Sequence, residues 1–229
     1  MLPRRLEPEV MDTAAEAEAY DLMDHRDVNR RFVDDFLAHL TLQWDCVTPL
    51  RGVDLGTGTA QIPIELCSRK LPIHLVATDL SREMLLRAEA NIAAAGCGES
   101  ITLVLADGKG SAHDLLPQGG FDFVISNSIV HHIPDPALVF REFHRLSRPG
   151  AAVFIRDLLR PSSQAELQSL VEMHTPGATP EQKQLFADSL HAALTLDEVG
   201  RLCANVGWRA DAVKQTSDRH WTFAGWHVQ

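Results

Sequence analysis

A chain of 229 residues is long enough for one well-filled domain and too short for two of ordinary size. Its net charge of -10 argues against a nucleic-acid partner, because phosphate backbones are held chiefly by clusters of Lys and Arg. No run of about 18 apolar residues occurs, and residues 1–9 lack the apolar stretch of a signal peptide. We therefore expect a cytoplasmic protein without a membrane partner.

The four cysteines are widely spaced and form no CxxC pair; they are Cys46, Cys67, Cys97 and Cys203. Cysteines in apolar surroundings at such spacing are typical of reduced, buried side chains rather than of a metal site. The sequence therefore predicts no bound metal.

Hydrophobic periodicity predicts two helices, over 13–24 and 26–42, in an N-terminal helical cap that spans residues 1–48. Short runs rich in Val, Ile and Leu then predict buried parallel strands at 51–55, 73–78, 101–106, 121–126 and 151–156. Helices are predicted between them at 60–68, 81–95 and 136–146, the second with Ser81 as its N-cap and Gly96 as its stop. This alternation predicts an α/β fold with a doubly wound, mostly parallel sheet, whose core spans residues 49–160.

Two further helices, at 162–174 and 179–194, are predicted to form a helical insertion (161–194) after the fifth strand. Such an insertion lies on the face where open α/β sheets bind ligands. Its candidates for substrate contact, with plain packing as the favoured alternative, are Met173, His174, Phe186 and His191. A helix at 195–205 and a strand hairpin at 211–216 and 220–226 complete a single predicted domain.

A glycine loop follows the first predicted strand. Gly56 and Gly58 let the backbone approach a ligand closely, where a side chain would collide. The loop leads into a helix N-terminus, whose free N–H groups favour an anionic or electron-rich group. On its own the pattern suits a nicotinamide or flavin nucleotide equally well.

Acids at the ends of consecutive strands narrow the choice of ligand. Asp54 can face a cationic amino group directly or through water. Asp79 ends the second strand, where a carboxylate accepts both hydrogen bonds of a ribose diol, and Asp107 can hydrogen-bond an adenine amino group. Gln61 stands where the dinucleotide fingerprint requires a small residue, which disfavours a nucleotide-dependent oxidoreductase, the main enzymatic alternative.

Together these motifs resemble the class I (Rossmann-like) S-adenosylmethionine-dependent methyltransferases of the small-molecule type, strongly over residues 50–160. The resemblance is carried by VDLGTGT at 53–59, Asp79, ADG at 106–108, FDFVISNSIVHHIPD at 121–135 and LSRPGA at 146–151. It implies a seven-stranded sheet with an antiparallel last strand, and S-adenosylmethionine as the cofactor with S-adenosylhomocysteine as its product.

The predicted cofactor-binding residues are Tyr20, Asp54, Gly56, Thr57, Gly58, Gln61, Asp79, Leu80, Met84, Asp107, Gly108, Ser126 and Asn127. Tyr20 is included because it resembles an N-terminal tyrosine that covers the cofactor in many members of the family. Simple helix packing is an equal alternative for it.

Methyl transfer from a sulfonium is an in-line displacement, so the protein mainly aligns the reacting atoms and excludes water. A base is needed only when the nucleophile must lose a proton. The candidate catalytic residues are His131 and His132, the latter matching a family histidine that is often structural. Arg156, at the end of the fifth strand, is expected to pair with Asp157, or alternatively with a substrate carboxylate.

The segment after the fourth strand also bears on the methyl acceptor. It contains neither an Asp-Pro-Pro-Tyr or Asn-Pro-Pro-Tyr run nor a Pro-Cys pair, which disfavours nucleic-acid bases as substrates. The sequence therefore predicts an enzyme that methylates an O, N or C nucleophile of a small molecule. A methyltransferase-like sensor or scaffold that binds the cofactor without catalysis is the alternative.

Overall fold

A seven-stranded sheet forms the centre of the computed structural model, which describes residues 2–7, 13–23, 25–110 and 115–228. The strands are β1 (Leu50–Leu55), β2 (Ile73–Asp79), β3 (Ile101–Leu105), β4 (Phe121–Asn127), β5 (Ser147–Leu158), β6 (Val213–Gln215) and β7 (His220–Trp226). Their spatial order is β3-β2-β1-β4-β5-β7-β6, with β7 antiparallel to both of its neighbours and the other pairs parallel. The predicted doubly wound sheet with its antiparallel last strand is confirmed.

Helices cover both faces of the sheet. They are α1 (Ala14–Asp21), α2 (Arg26–Leu40), α3 (Gln61–Cys67), α4 (Arg82–Ala95), α5 (Pro136–Leu146), α6 (Gln164–His174), α7 (Pro180–Ala192) and α8 (Leu196–Asn205). Helices α1 and α2 precede the sheet, and α6 and α7 form the insertion after β5, as the sequence predicts. Across the described ranges, no helix combines the length and the apolar character that crossing a bilayer requires.

Helix ends follow the capping residues. The hydroxyl of Ser81 accepts a hydrogen bond from the Met84 N–H, and Gly96 ends α4 with φ +69°, both as predicted. Thr13, Thr179 and Thr195 are N-caps in capping boxes, so each helix begins one residue after its predicted start. Helix α1 ends at Asp21, and residue 24, its predicted end, lies outside the described residues.

Strand β5 is longer than predicted at both ends. Its first residue, Ser147, pairs with Phe121 beyond a register irregularity, although Pro149 and Gly150 had indicated a turn. Its last residue, Leu158, pairs with His220 of β7. The uninterrupted apolar run that predicts this strand is shorter than the strand itself. Backbone pairing with the neighbouring strands continues beyond that run at both ends.

The central strand β4 buries side chains on both faces of the sheet. Val124 belongs to a cluster with Phe140 and Phe143 of α5, together with Trp221 and Phe223 of β7. Its neighbours along the strand contact the opposite layer, which holds Phe32 and Phe36 of α2. Alternation along a strand that is buried on both sides explains why this segment is a continuous apolar run.

Gly52 of β1 gives a test of this packing, because a Cβ there would lie 2.0 Å from the buried ring of Phe123. We expect Gly52→Ala to lower the free energy of unfolding by about 1–3 kcal/mol, since overpacking forces the core to shift. Urea denaturation measures the loss. The matched control is Gly98→Ala, whose Cβ meets no atom within 4 Å; equal stabilities of the two variants would contradict the packing.

Candidate active site

A cleft opens at the carboxyl ends of the central strands, between β1 and β4. The chain turns from β1 toward β2 on one side and from β4 toward β5 on the other, so the connecting segments diverge there. Crevices at such topological switch points are where open α/β sheets bind their ligands.

The glycine loop after β1 forms one wall of the cleft. The N–H groups of Gly56 and Thr57 both donate to the carbonyl of Thr78, at 2.9 and 2.8 Å, which fixes the loop against β2. Gly56 has φ +74°, and a Cβ there would lie 2.0 Å from Cγ2 of Ile129. Glycine is therefore required for two reasons, the left-handed backbone and the close approach of the segment after β4.

Asp79, at the end of β2, is held at the cleft by the backbone. Its Oδ2 accepts a hydrogen bond from the Gly58 N–H at 2.8 Å, and its Oδ1 accepts one from the Ser81 N–H at 2.9 Å. Burial raises the pKa of Asp79, although these hydrogen bonds act in the opposite direction. Each carboxylate oxygen keeps acceptor capacity, so the group can also receive the two hydroxyls of a ligand diol.

Asp54 lies beneath the glycine loop rather than in the cleft lining. It is only 2% exposed, and this burial raises its pKa to about 7 against the opposing influence of the Thr57 side chain. The charges of Asp79 and Asp54 in turn add to the effect of burial in raising the pKa of Tyr20. Asp54 is therefore close to the cleft wall, and its charge is sensitive to any cation that enters.

Tyr20 brings the N-terminal cap to the cleft, because its ring lies 3.5 Å from the position of a Cβ on Gly58. The next residue, Asp21, fastens helix α1 to the core. Its carboxylate accepts hydrogen bonds from Arg87 Nε at 2.6 Å and from Asn91 Nδ2 at 2.8 Å. The aromatic ring is thus positioned by a salt bridge one residue away.

The predicted cofactor-binding residues fall into two groups. Those that line the cleft are Tyr20, Gly56, Gly58, Asp79, Leu80, Met84, Asp107, Gly108 and Asn127. Those that do not are Asp54, Thr57, Gln61 and Ser126. The sequence analysis did not predict cofactor contacts for Ser81, Ala106, Ser128, Ile129 and Ile133, which also line the cleft. All five lie within a few residues of the carboxyl end of a strand, and that position was the available signal.

Gln61 and Ser126 have other partners. Gln61 Oε1 accepts a hydrogen bond from Asn29 at 3.1 Å, and Gln61 Nε2 donates to Asp21 at 3.3 Å, so this side chain joins both cap helices to α3. The buried hydroxyl of Ser126 donates to the carbonyl of Leu55 at 2.9 Å and so ties β4 to β1. Both side chains support the walls of the cleft from behind.

The two candidate catalytic histidines are placed differently. His132 lines the cleft, whereas His131 is buried and does not. His131 Nδ1 lies 2.5 Å from Asp157 Oδ1, and Asp157 Oδ2 accepts the Val130 N–H at 2.5 Å. Burial by itself lowers the pKa of His131, but the charge and hydrogen bond of Asp157 and the charge of Glu7 raise it, and the net shift is upward.

The predicted pair between Arg156 and Asp157 is wrong. Arg156 instead donates to Asp35 of α2 at 2.7 Å and to Thr222 of β7 at 3.0 Å. Successive side chains of a strand point to opposite faces of the sheet, so Arg156 and Asp157 cannot face each other within β5. Arg156 therefore helps to hold the N-terminal cap against the sheet.

The N-terminal segment 2–7 crosses the same end of the molecule, which the sequence did not predict. Arg4 donates to the carbonyls of Ala192 at 2.7 Å and Ile133 at 2.9 Å. Glu7 Oε2 accepts the Ser189 hydroxyl at 3.0 Å. The segment thus bridges helix α7 and the segment after β4.

The four insertion candidates do not line the cleft. Phe186 packs against a cluster that includes Leu158 and Leu170, which is the packing alternative. His174 lies 2.5 Å from Asp218, and Met173 is exposed. His191 is buried beside the N-terminal segment, where its carbonyl accepts the Arg5 N–H.

Comparison with known proteins gives consistent matches. A family model described as a methyltransferase domain matches residues 53–155. A ubiquinone biosynthesis O-methyltransferase of Thiobacillus denitrificans is 30% identical over 154 residues, which are 64% of this chain and 64% of that protein. A demethylmenaquinone methyltransferase of Roseiflexus castenholzii is 25% identical over 167 residues, 69% of this chain and 67% of that protein. The chain thus spans about two thirds of the length of these curated relatives.

Solved structures agree on the fold. A putative S-adenosyl-L-methionine-dependent methyltransferase of Methanococcus maripaludis superposes with a TM-score of 0.66. The match covers 98% of each chain at 18% sequence identity. At that identity the likeness concerns the architecture alone.

Asp54 yields a prediction about pH. Its folded pKa of about 7 exceeds the ordinary value of 3.8, so its contribution to stability is present in acid and is lost as pH rises from about 4 to 7. Asp54→Asn lacks this dependence. We expect its stability relative to the unsubstituted protein to rise by up to about 1.4 kcal/mol per pH unit over that range and to level off above it.

Urea denaturation of both proteins at several pH values from 5 to 8 measures this difference, in which groups common to the two proteins cancel. A difference that does not vary with pH would mean that Asp54 keeps an ordinary pKa despite its burial.

Proposed function

We propose that the chain is a class I S-adenosylmethionine-dependent methyltransferase and that it transfers the cofactor's methyl group to a small-molecule nucleophile. The observation that carries the proposal is the switch-point cleft, in which the glycine loop, Asp79 and Asp107 meet. A sheet of this kind supports many chemistries, so the assignment depends on these residues rather than on the fold.

The cleft residues fit the cofactor. Gly56 lets the glycine loop pack against Ile129, and Asp79 offers two fixed acceptors to a ribose diol. Met84 and Leu80 supply apolar surface for an adenine ring, beside Asp107 as an acceptor for its amino group. Asp54 adds negative charge beneath the loop for the cationic amino group of the methionine part.

When bound, S-adenosylmethionine supplies an electrophilic methyl group with a neutral sulfide as its leaving group. The work left to the protein is alignment and exclusion of water. Tyr20 from α1, together with Ile129 and Ile133 after β4, lines the cleft and serves this role. His132 lines the cleft and His131 does not, so contact with the acceptor falls to His132 in this proposal.

For the acceptor we propose an aromatic or quinone-like molecule. The curated relatives are named for ubiquinone biosynthesis and for demethylmenaquinone, so O and C nucleophiles on such rings are the first class to assay. The second candidate function is that of a cofactor-binding sensor without turnover. The cleft opens to the protein surface, so an acceptor can reach a bound cofactor, which favours the enzyme.

Calorimetry with S-adenosylmethionine, S-adenosylhomocysteine and NAD tests the cofactor. We expect both sulfur compounds to bind and NAD not to bind; the reverse pattern would overturn the proposal. Release of S-adenosylhomocysteine with a panel of phenols, catechols, quinols and amines then tests turnover. Cofactor binding without release from any acceptor class would favour the sensor.

Asp79→Ala should reduce affinity for S-adenosylmethionine at least about tenfold, because two hydrogen bonds to a charged acceptor are lost. Calorimetry measures the change, and circular dichroism checks that the variant is folded. Asp211→Ala, which removes an exposed carboxylate paired with Arg209, is the matched control and should bind normally. Unchanged affinity in Asp79→Ala would mean that the ribose lies elsewhere.

A further inference from the structure

Three metal-binding side chains converge where the N-terminal segment meets the end of β4. Glu7 Oε1 lies 3.4 Å from His131 Nε2 and 3.2 Å from His132 Nδ1. One ligand atom from each of the three residues lies within 4.8 Å of the others. The geometry points to a site for a divalent transition-metal ion of the zinc type, bound by Glu7, His131 and His132.

The separations suit such an ion. Bonds of about 2.0–2.2 Å from Zn²⁺ to imidazole nitrogen and carboxylate oxygen, at tetrahedral angles, place ligand atoms roughly 3.4 Å apart. Both measured distances from Glu7 Oε1 are close to this value. The His132 side chain is 25% exposed, the most of the three, and a small rotation of its ring supplies the remaining adjustment.

A buried acceptor without a donor is the independent sign of a missing cation. The Glu7 side chain is only 9% exposed, and among the described residues its Oε1 receives no hydrogen bond. Leaving a buried carboxylate oxygen unsatisfied is costly. An imidazole nitrogen of each histidine lies at ion-pair distance from this oxygen, and a metal ion bound among the three ligand atoms would compensate its charge.

Neighbouring groups orient the ligands as metal sites require. The Nδ1 atom of His131 is held by Asp157, which leaves Nε2 directed toward Glu7. The Ser189 hydroxyl holds the other oxygen of Glu7. Metal-bound histidines commonly bond their second nitrogen to a carboxylate in this way, which fixes the tautomer and the ring orientation.

The charge and the donor set indicate which ion fits. Two carboxylates, Glu7 and Asp157, outweigh the guanidinium of Arg4, which donates to backbone carbonyls nearby. Two imidazoles and one carboxylate suit Zn²⁺, Co²⁺, Ni²⁺ or Fe²⁺, whereas Mg²⁺ prefers oxygen ligands alone. Three protein ligands leave a coordination position open for water.

A bound ion would join the N-terminal segment to the core, because Glu7 belongs to segment 2–7 and the histidines follow β4. Binding to the folded state alone must raise the melting temperature as the ion concentration rises. This consequence needs neither cofactor nor acceptor, so its outcome is independent of the proposed methyl transfer.

The test titrates Zn²⁺ alone into the full chain after chelator treatment and dialysis, by calorimetry and thermal denaturation. We expect one site and a rise in melting temperature. Co²⁺ should add visible absorption bands of a site with fewer than six ligands. Glu7→Gln and His132→Asn should each weaken Zn²⁺ binding at least about 100-fold, since each removes a ligand where loss of a supporting group alone costs 10–100-fold.

The matched control is His174→Asn, which removes a histidine that also contacts a carboxylate, Asp218, but lies outside the cluster. It should bind Zn²⁺ as the unsubstituted protein does. If Glu7→Gln binds Zn²⁺ as tightly as the unsubstituted protein, the ion is bound by surface histidines elsewhere. If the unsubstituted protein binds no Zn²⁺, Glu7 is only an ion-pair partner of His131. Either result overturns the site.

Discussion

Strands β1 and β4 lie side by side, yet the helices that follow them pack on opposite faces of the sheet. Helix α3 joins the layer of Phe32 and Phe36, whereas α5 joins the layer of Trp221. The segments leaving these two strands must therefore diverge, and the cleft is the space between them. At Gly56 the two segments approach each other again, because the missing side chain admits Ile129.

Several buried or partly buried carboxylates lie at this end of the sheet, and each has a defined set of partners. Asp79 is held by two backbone N–H groups, and Asp157 by the backbone and the ring of His131. Asp54 has less support, and its pKa of about 7 reflects that difference. Glu7 has one satisfied oxygen and one that is not. Asp79 and Asp157 are thus held in fixed positions, whereas Asp54 and Glu7 keep the capacity to interact with a cation.

The local parts of the structure could be predicted from the sequence, because strand alternation, caps and the glycine loop depend on neighbouring residues. The prediction that Arg156 pairs with Asp157 is wrong for a reason that is also local, because adjacent side chains of a strand point to opposite faces of the sheet. Gln61 joins the cap to the core through Asp21, a contact that no spacing announces. Arg4 donates a hydrogen bond to the carbonyl of Ile133, 129 positions along the chain. The prediction that no metal is bound considered only the spacing of the cysteines, so it did not test for a cluster of Glu and His. Contacts of this range need the folded chain.

The region matched by the family model, residues 53–155, contains the glycine loop, Asp79 and Asp107 but not the N-terminal cap or the segment 2–7. Tyr20 therefore lines the cleft from outside the shared region, and Glu7, which is held by Ser189 of the insertion, contacts the cleft residue His132. A family of enzymes that share one methyl donor but use different acceptors can keep the donor-binding residues of the shared region and vary the residues outside it. Selectivity for the acceptor should accordingly follow substitutions in segments 2–7 and 13–40 more closely than substitutions in the strand ends.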